Sequence, residues 1–266
     1  MIDYWQQQSA TEPLFPDTLW SKPENKTTAG KLGIVGGNAL SFLAVANAYQ
    51  TAVDTGIGEI KLVLPEDLKK QLGNLVGTEF APTNQSGGLS KEAEPILRAM
   101  FDETDGTLLV GDTSRNNETQ LLYENFIRQT NSTTSTKPIA ISRDAVDLLM
   151  GIMNEIVIRD NVVLVLSFAQ LQKIFQTVYF PIVLIHSIQT IKLVEALHKF
   201  TIANGATLAV FHDDTFVVAS KGQVMSTPFG RPTELWQGKT PAKIACWSIW
   251  NHVKPIEAIA CALLDK

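Results

Sequence analysis

Lys31-Leu32-Gly33-Ile34-Val35-Gly36-Gly37-Asn38 is a short apolar strand that runs into a double glycine. Residues 40–55 follow with apolar side chains at 43, 45, 46, 49, 52 and 53, the spacing of a helix buried along one side, and Gly56 is placed to cap its C-terminus. Residues 59–64 read as the next strand, and Pro65 opens a helix to about residue 72. Strand, glycine turn, helix, strand is a βαβ unit, whose two strands lie parallel.

The same rhythm continues along the chain. Strands are predicted at 107–110, 138–141, 161–166 and 178–185, and helices at 118–129, 143–150, 167–174 with Ser167 as N-cap, and 190–203 ending at Asn204-Gly205. A polar loop is expected at 131–136. Residues 207–211 and 215–219 form a β-pair, Lys221-Gly222 is a second turn, and helices at 241–251 and 255–264 close the chain. Strands alternating with helices of this length predict an α/β fold with a mainly parallel central sheet, helices on both faces and an antiparallel edge. Residues 1–30, rich in Gln, Pro, Thr, Lys and Asn, read as an extended arm that packs on the body or on a neighbouring subunit, and 31–266 as a single domain.

The 266 residues are 45% hydrophobic, which suffices for a large core, and their net charge of −5 leaves no electrostatic footprint for nucleic acid or an anionic membrane. The first eight residues have neither a basic nor an apolar segment of the signal-peptide kind, and the longest apolar runs are too short to span a bilayer. Cys246 and Cys261 fall in helical patterns and are expected as reduced core thiols, consistent with a cytoplasmic location.

Two nucleotide motifs are excluded. Gly33-Ile34-Val35-Gly36-Gly37-Asn38-Ala39 lacks the third glycine of a dinucleotide fingerprint, and no acidic residue ends the following strand. Gly238-Lys239-Thr240 matches the tail of a P-loop, but position 233 is Thr233 rather than the glycine that loop needs. Thr240 as N-cap and Pro241 in the first turn instead predict a helix start whose free amides and positive dipole end suit a phosphate.

Taken together these segments resemble the ADP/ATP-dependent NAD(P)H-hydrate dehydratases, a branch of the ribokinase-like fold, over roughly residues 14–265. The strand ending at Gly36-Gly37-Asn38 looks like the family's strand into Gly-Gly-Ser, and Thr55-Gly56-Ile57-Gly58 like its Ser-Gly-Ala-Gly. Leu109-Val110-Gly111 is similar to the start of its Gly-Pro-Gly-Leu-Gly loop, residues 138–149 to its Pro-Leu-Val-Leu-Asp-Ala-Asp-Ala-Leu-Asn-Leu-Leu stretch, and Lys254-Pro255-Ile256-Glu257-Ala258 to its last-helix start. The resemblance implies ADP or ATP, with or without magnesium, as cofactor, and hydrated NAD(P)H as substrate. It places nucleotide or anion binding at Trp236, Gln237, Gly238, Thr240 and His212, and substrate binding at Gly37, Asn38, Gly111, Asp112 and Ser167. Family members are often oligomeric, with which an N-terminal arm is compatible.

The departures fall on the chemistry. The family's Gly-Thr-Gly-Asp lands on Trp236-Gln237-Gly238-Lys239, so its proton-transfer aspartate is Lys239, which offers no carboxylate base. Its Thr-Pro-His-Pro-Gly-Glu lands on Val165-Leu166-Ser167-Phe168-Ala169-Gln170, its Leu-Lys-Gly-Ala on Val210-Phe211-His212-Asp213, and its Gly-Pro-Gly loop becomes Gly111-Asp112-Thr113-Ser114-Arg115. Asp112, beyond a strand end, is the best surviving carboxylate, with Asp144 beside Arg143 at the next strand end and His212-Asp213-Asp214 as a further titratable cluster. His186 is expected as a core histidine, Trp236 as a stacking residue in a loop, Trp247 and Trp250 as packing, and no metal site is expected. Three readings follow: a divergent nucleotide-dependent dehydratase; a non-catalytic nucleotide- or anion-binding protein or assembly subunit; and a small-molecule kinase of the same fold.

Overall fold

The computed structural model describes residues 3–9, 11–73, 76–130 and 136–265. The ten strands among the described residues join one sheet: β1 (Trp5–Gln7), β2 (Lys31–Gly36), β3 (Glu59–Pro65), β4 (Thr78–Ala81), β5 (Gly106–Gly111), β6 (Ile139–Ser142), β7 (Val162–Ser167), β8 (Thr207–His212), β9 (Thr215–Ser220) and β10 (Gln223–Pro228). Their order is β1-β10-β9-β8-β7-β6-β5-β2-β3-β4. The seven strands from β8 to β4 are mutually parallel, β9 is antiparallel to β8 and β10, and β1 is parallel to β10.

Buried strands such as Val-Val-Leu-Val-Leu in β7 lack alternation because helices cover both faces. One face carries α1 (Pro16–Trp20), α2 (Leu43–Thr55), α3 (Lys69–Leu72), α10 (Pro232–Trp236), α11 (Lys239–Trp250) and α12 (Pro255–Leu264). The other carries α4 (Glu94–Glu103), α5 (Asn117–Gln129), α6 (Asp144–Leu148), α7 (Met153–Val157), α8 (Phe168–Thr177) and α9 (Thr190–Ala203). The expected α/β architecture, the β8–β9 pair, the Gly56 C-cap and the Ser167 N-cap are all present. Gly56 takes a φ of +99°, and Ser167 forms a full capping box with Gln170.

Three local readings are corrected. Residues 178–185 are not a strand: Val178, Phe180, Ile182 and Leu184 turn toward the core while Val183 and Ile185 face out, so the strand alternation is real, but no sheet edge is there to pair with it. The arm packs on the body: Trp5–Gln7 pairs with β10 and Trp5 donates its indole N–H to Ser226 Oγ at 2.9 Å. β4, β10 and α4 are additional elements that the sequence reading passed over. The last long helix starts at Lys239 with Gly238 as N-cap, so Thr240 is its second residue rather than its cap. The loop expected at 131–136 lies, save for Thr136, outside the described residues.

Cys246 and Cys261 are both unpaired and buried. Burial pushes both thiols up, Cys261 to about 12 and Cys246 further. At neutral pH neither is a thiolate. The native protein is therefore expected to resist iodoacetamide for hours, with both thiols labelled once it is unfolded in guanidinium; fast labelling of either under native conditions would contradict this packing.

Candidate functional site

In open α/β sheets ligands settle outside the carboxyl ends of the strands, where the strand order reverses. Here the order reverses at β2, which has β3 on one side and β5 on the other. The two turns that leave β2 and β5 touch: the Gly37 amide donates to the Gly111 carbonyl at 2.9 Å. A side chain on Gly36 would come within 2.5 Å of that same carbonyl, which is why glycine stands there. Asn38 donates Nδ2 to the Asp112 carbonyl at 2.7 Å and folds its own Oδ1 back onto the amides of Leu40 and Ser41. Gly37, Asn38, Gly111 and Asp112, all read from the sequence as ligand residues, are thus brought together.

The Asp112 carboxylate is turned inward. Oδ2 accepts the Ala44 amide at 2.7 Å, and Oδ1 accepts Arg143 Nη2 at 2.8 Å. Ala44 lies in the first turn of α2, whose N-cap is Phe42, a residue with no side-chain acceptor, so the cap is supplied from the neighbouring loop. Asp144 holds the backbone of that loop, accepting the Asp112 amide at 3.0 Å, the Thr113 amide at 2.8 Å and the Thr113 hydroxyl at 3.1 Å. Tyr123 is fully buried nearby; burial first, and the Asp144 charge second, push its phenol well above the usual tyrosine range, so it stays protonated. Sequence reasoning named Asp112 and Asp144 but missed their partners. The signal was there: Asp112 and Arg143 each stand one residue past the ends of adjacent parallel strands, which leave the sheet next to each other.

The N-terminus of α11 joins the same cluster. Gly238 has a φ of +83°, and a side chain there would meet the Ala44 carbonyl at 2.7 Å and Val110 at 3.0 Å. Lys239 follows, half-buried, with no ion-pair partner among the described residues. Thr240 is buried, and its Oγ1 finds no hydrogen-bond partner. Two of the amides expected to face a ligand are already engaged: Gln237 N–H donates to Thr233 O at 2.9 Å, and Gly238 N–H to Leu235 O at 3.3 Å. They close the last turn of α10. Trp236 therefore ends a helix instead of lying in a loop, and its ring is about half exposed.

Two other candidates lie elsewhere. Along β8, Leu208 and Val210 pack on the α9 side and Ala209 and Phe211 on the α12 side, so His212 points to the face opposite α11. It is buried, stacked on Phe168 at 4.3 Å, and its Nε2 faces the Ile188 carbonyl and Asp213 Oδ2, each at 3.2 Å. Ser167 uses its hydroxyl to cap α8, accepting the Gln170 amide at 3.1 Å. His186, expected in the core, is exposed and lies edge-on to Phe168 and His212. Trp247 is buried and Trp250 partly so, edge to face at 5.2 Å. No group of three or more His, Cys, Asp or Glu among the described residues is arranged to hold a metal ion. None of the described helices is long and apolar enough to cross a membrane.

Comparison with solved structures yields the same architecture. A ribokinase-like superfamily protein from Enterococcus faecalis V583 superposes with a TM-score of 0.71 at 14% identity, covering 99% of this chain and 86% of that one. The ADP/ATP-dependent NAD(P)H-hydrate dehydratase of Bacillus subtilis, co-crystallised with ATP/Mg2+, gives 0.56 at 14% identity over 95% of this chain and 86% of that one. A phosphomethylpyrimidine kinase from Clostridium difficile 630 gives 0.54 at 9% identity over 88% and 97%. The fold is ribokinase-like. At these identities the fold is what is shared. No protein-family model matches the sequence, and no curated protein does.

Asp144 is the residue that fixes the shape of the site, since three donors of the 112–113 loop converge on it. Asp144→Ala is expected to cost about 3 kcal/mol, the order of several bonds to a charged acceptor. Asp144→Asn should lose about half as much. Urea denaturation measures both, and a neutral Asp144→Ala would refute the assignment.

Proposed function

We propose that this chain is a binding protein on a ribokinase-like frame, taking up a nucleotide or similar small anion beside the N-terminus of α11 without phosphoryl transfer or dehydration. The observation that carries this reading is Lys239: an ammonium without an ion partner among the described residues, at the first position of a twelve-residue helix, where the family it resembles has its proton-transfer aspartate. A cation at the positive end of a helix is unfavourable by itself and favourable once an anion neutralises both.

The dehydratase reading needs a carboxylate base close to the reacting hydroxyl, with ADP or ATP and magnesium to activate it. Asp112 has both oxygens committed to Ala44 and Arg143, and Asp144 has both committed to the 112–113 loop. Asp213 is exposed on the turn after β8. The kinase reading needs the same base and meets the same obstacle. The amides of Gln237 and Gly238 are closed into α10, which removes two donors that would otherwise stabilise developing phosphoryl charge.

Thermal unfolding in the presence of ADP, ATP, AMP, NADH and NADPH, with and without magnesium, tests the proposal. ADP or ATP well above its dissociation constant is expected to raise Tm by on the order of 5 °C. Lys239→Met should abolish the shift, and no consumption of NAD(P)H hydrate is expected from the wild type or from Lys239→Asp. Turnover by the wild type, or an undiminished shift in Lys239→Met, would overturn the reading.

A further inference from the structure

Asp112 is held in a way that a surface turn does not require. Its φ is +55°, in the left-handed region that penalises a side chain, and it lies between Gly111 at +99° and, at the end of the adjacent strand β6, Arg143 at +56°. This backbone keeps the carboxylate only one-tenth exposed and aims its two oxygens at two different donors, a helix-terminal amide and a guanidinium. Arg143 makes no other ion pair among the described residues. An amide of a helix's first turn and an arginine converging on two oxygens of one group is the donor set that recognises an external oxyanion. Directly beside it, Gly238 abuts the Ala44 carbonyl, Lys239 adds a second cation, and the buried Thr240 hydroxyl lacks a partner.

We infer that Asp112 is a built-in counter-ion: its carboxylate occupies the oxyanion position of this site, and a small carboxylate or phosphoryl group binds by exchanging with it. The inference rests on the proposed anion-binding role of the site and names how that site is regulated. The exchange is mechanically small. Asp144 grips the backbone amides of Asp112 and Thr113, not the Asp112 side chain, so the loop stays in place while one carboxylate rotates out to solvent. The incoming anion then takes over the Ala44 amide and Arg143, and Lys239 balances its remaining charge. Weak ligands do not displace the resident carboxylate, so the site selects against monoanions that bring only one contact.

The test is binding of inorganic phosphate and of acetate, by calorimetry and by thermal unfolding against chloride at equal ionic strength. Proteins compared are the wild type, Asp112→Ala, Asp112→Asn and Asp112→Ala combined with Arg143→Ala. Asp112→Ala is expected to unfold at lower temperature than the wild type and to be rescued by phosphate or acetate. Its affinity should exceed the wild type's by about tenfold or more, the factor set by removing a competing charge-assisted pair. The double variant should lose the rescue. Asp112→Asn keeps an oxygen for the Ala44 amide and so folds even if Asp112→Ala does not; it too should bind phosphate more tightly than the wild type. Rescue by acetate alone identifies a carboxylate ligand, and rescue by phosphate a phosphoryl one. Phosphate and acetate affinities of Asp112→Asn no higher than the wild type's, or destabilised Asp112→Ala that no anion restores, would reduce Asp112 to a cap of α2 and overturn the inference. Anion rescue without any shift by ADP or ATP, in the wild type or in Asp112→Asn, would retire the nucleotide reading and leave the counter-ion standing.

Discussion

Two turns meet at the point where strand order reverses, and neither has room for a side chain. The Gly37 amide reaches the Gly111 carbonyl, and Gly36 lies so close beneath that carbonyl that a methyl group would collide with it. The candidate site at the carboxyl ends of β2, β5 and β6 is arranged around this contact. Because the turns are close, Asn38 can bond the Asp112 carbonyl, Asp112 can cap α2, and Arg143 can reach Asp112 from the adjacent strand end. Because α2 is capped from that loop, the Ala44 carbonyl is presented to Gly238, and α11 begins against it.

The charges of the cluster are nearly balanced before any ligand arrives. Asp112 answers Arg143, and Asp144 answers a fan of backbone and hydroxyl donors. Lys239 is left over, at the positive end of a helix. The two carboxylates of the cluster are spent on structure, and Lys239 is its cation without an ion-pair partner among the described residues. The short helix α10 closes against the same point, and its last turn consumes the amides of Gln237 and Gly238.

Much of this was legible in the residues. Glycines after strand ends, the Gly56 cap and the Ser167 cap all rest on local rules of backbone freedom and hydrogen bonding, and each was found where it was read. The failures have a common cause. Residues 178–185 have the right alternation for a strand, but a strand needs a neighbour, and the sheet has none to offer at that place. Thr240 has the right chemistry for a cap, but α10 closes directly onto Gly238, and the left-handed glycine starts α11 two positions sooner. His186 carries an apolar flank in sequence, yet the segment that holds it lies on the surface with its alternate residues facing out.

The sequence by itself determined the α/β architecture, the glycine turn after β2, and the lysine at position 239, because period, turn chemistry and residue identity are local properties. Only the tertiary structure decided what Asp112 does. Its partners, Ala44 and Arg143, lie 68 and 31 residues away along the chain, and no pattern of spacing announces that a helix without its own cap will borrow one from the loop after the third strand that follows it. The same holds for His212, which sits in the same strand-end register as the other candidates but is turned to the opposite face by the pleat of β8.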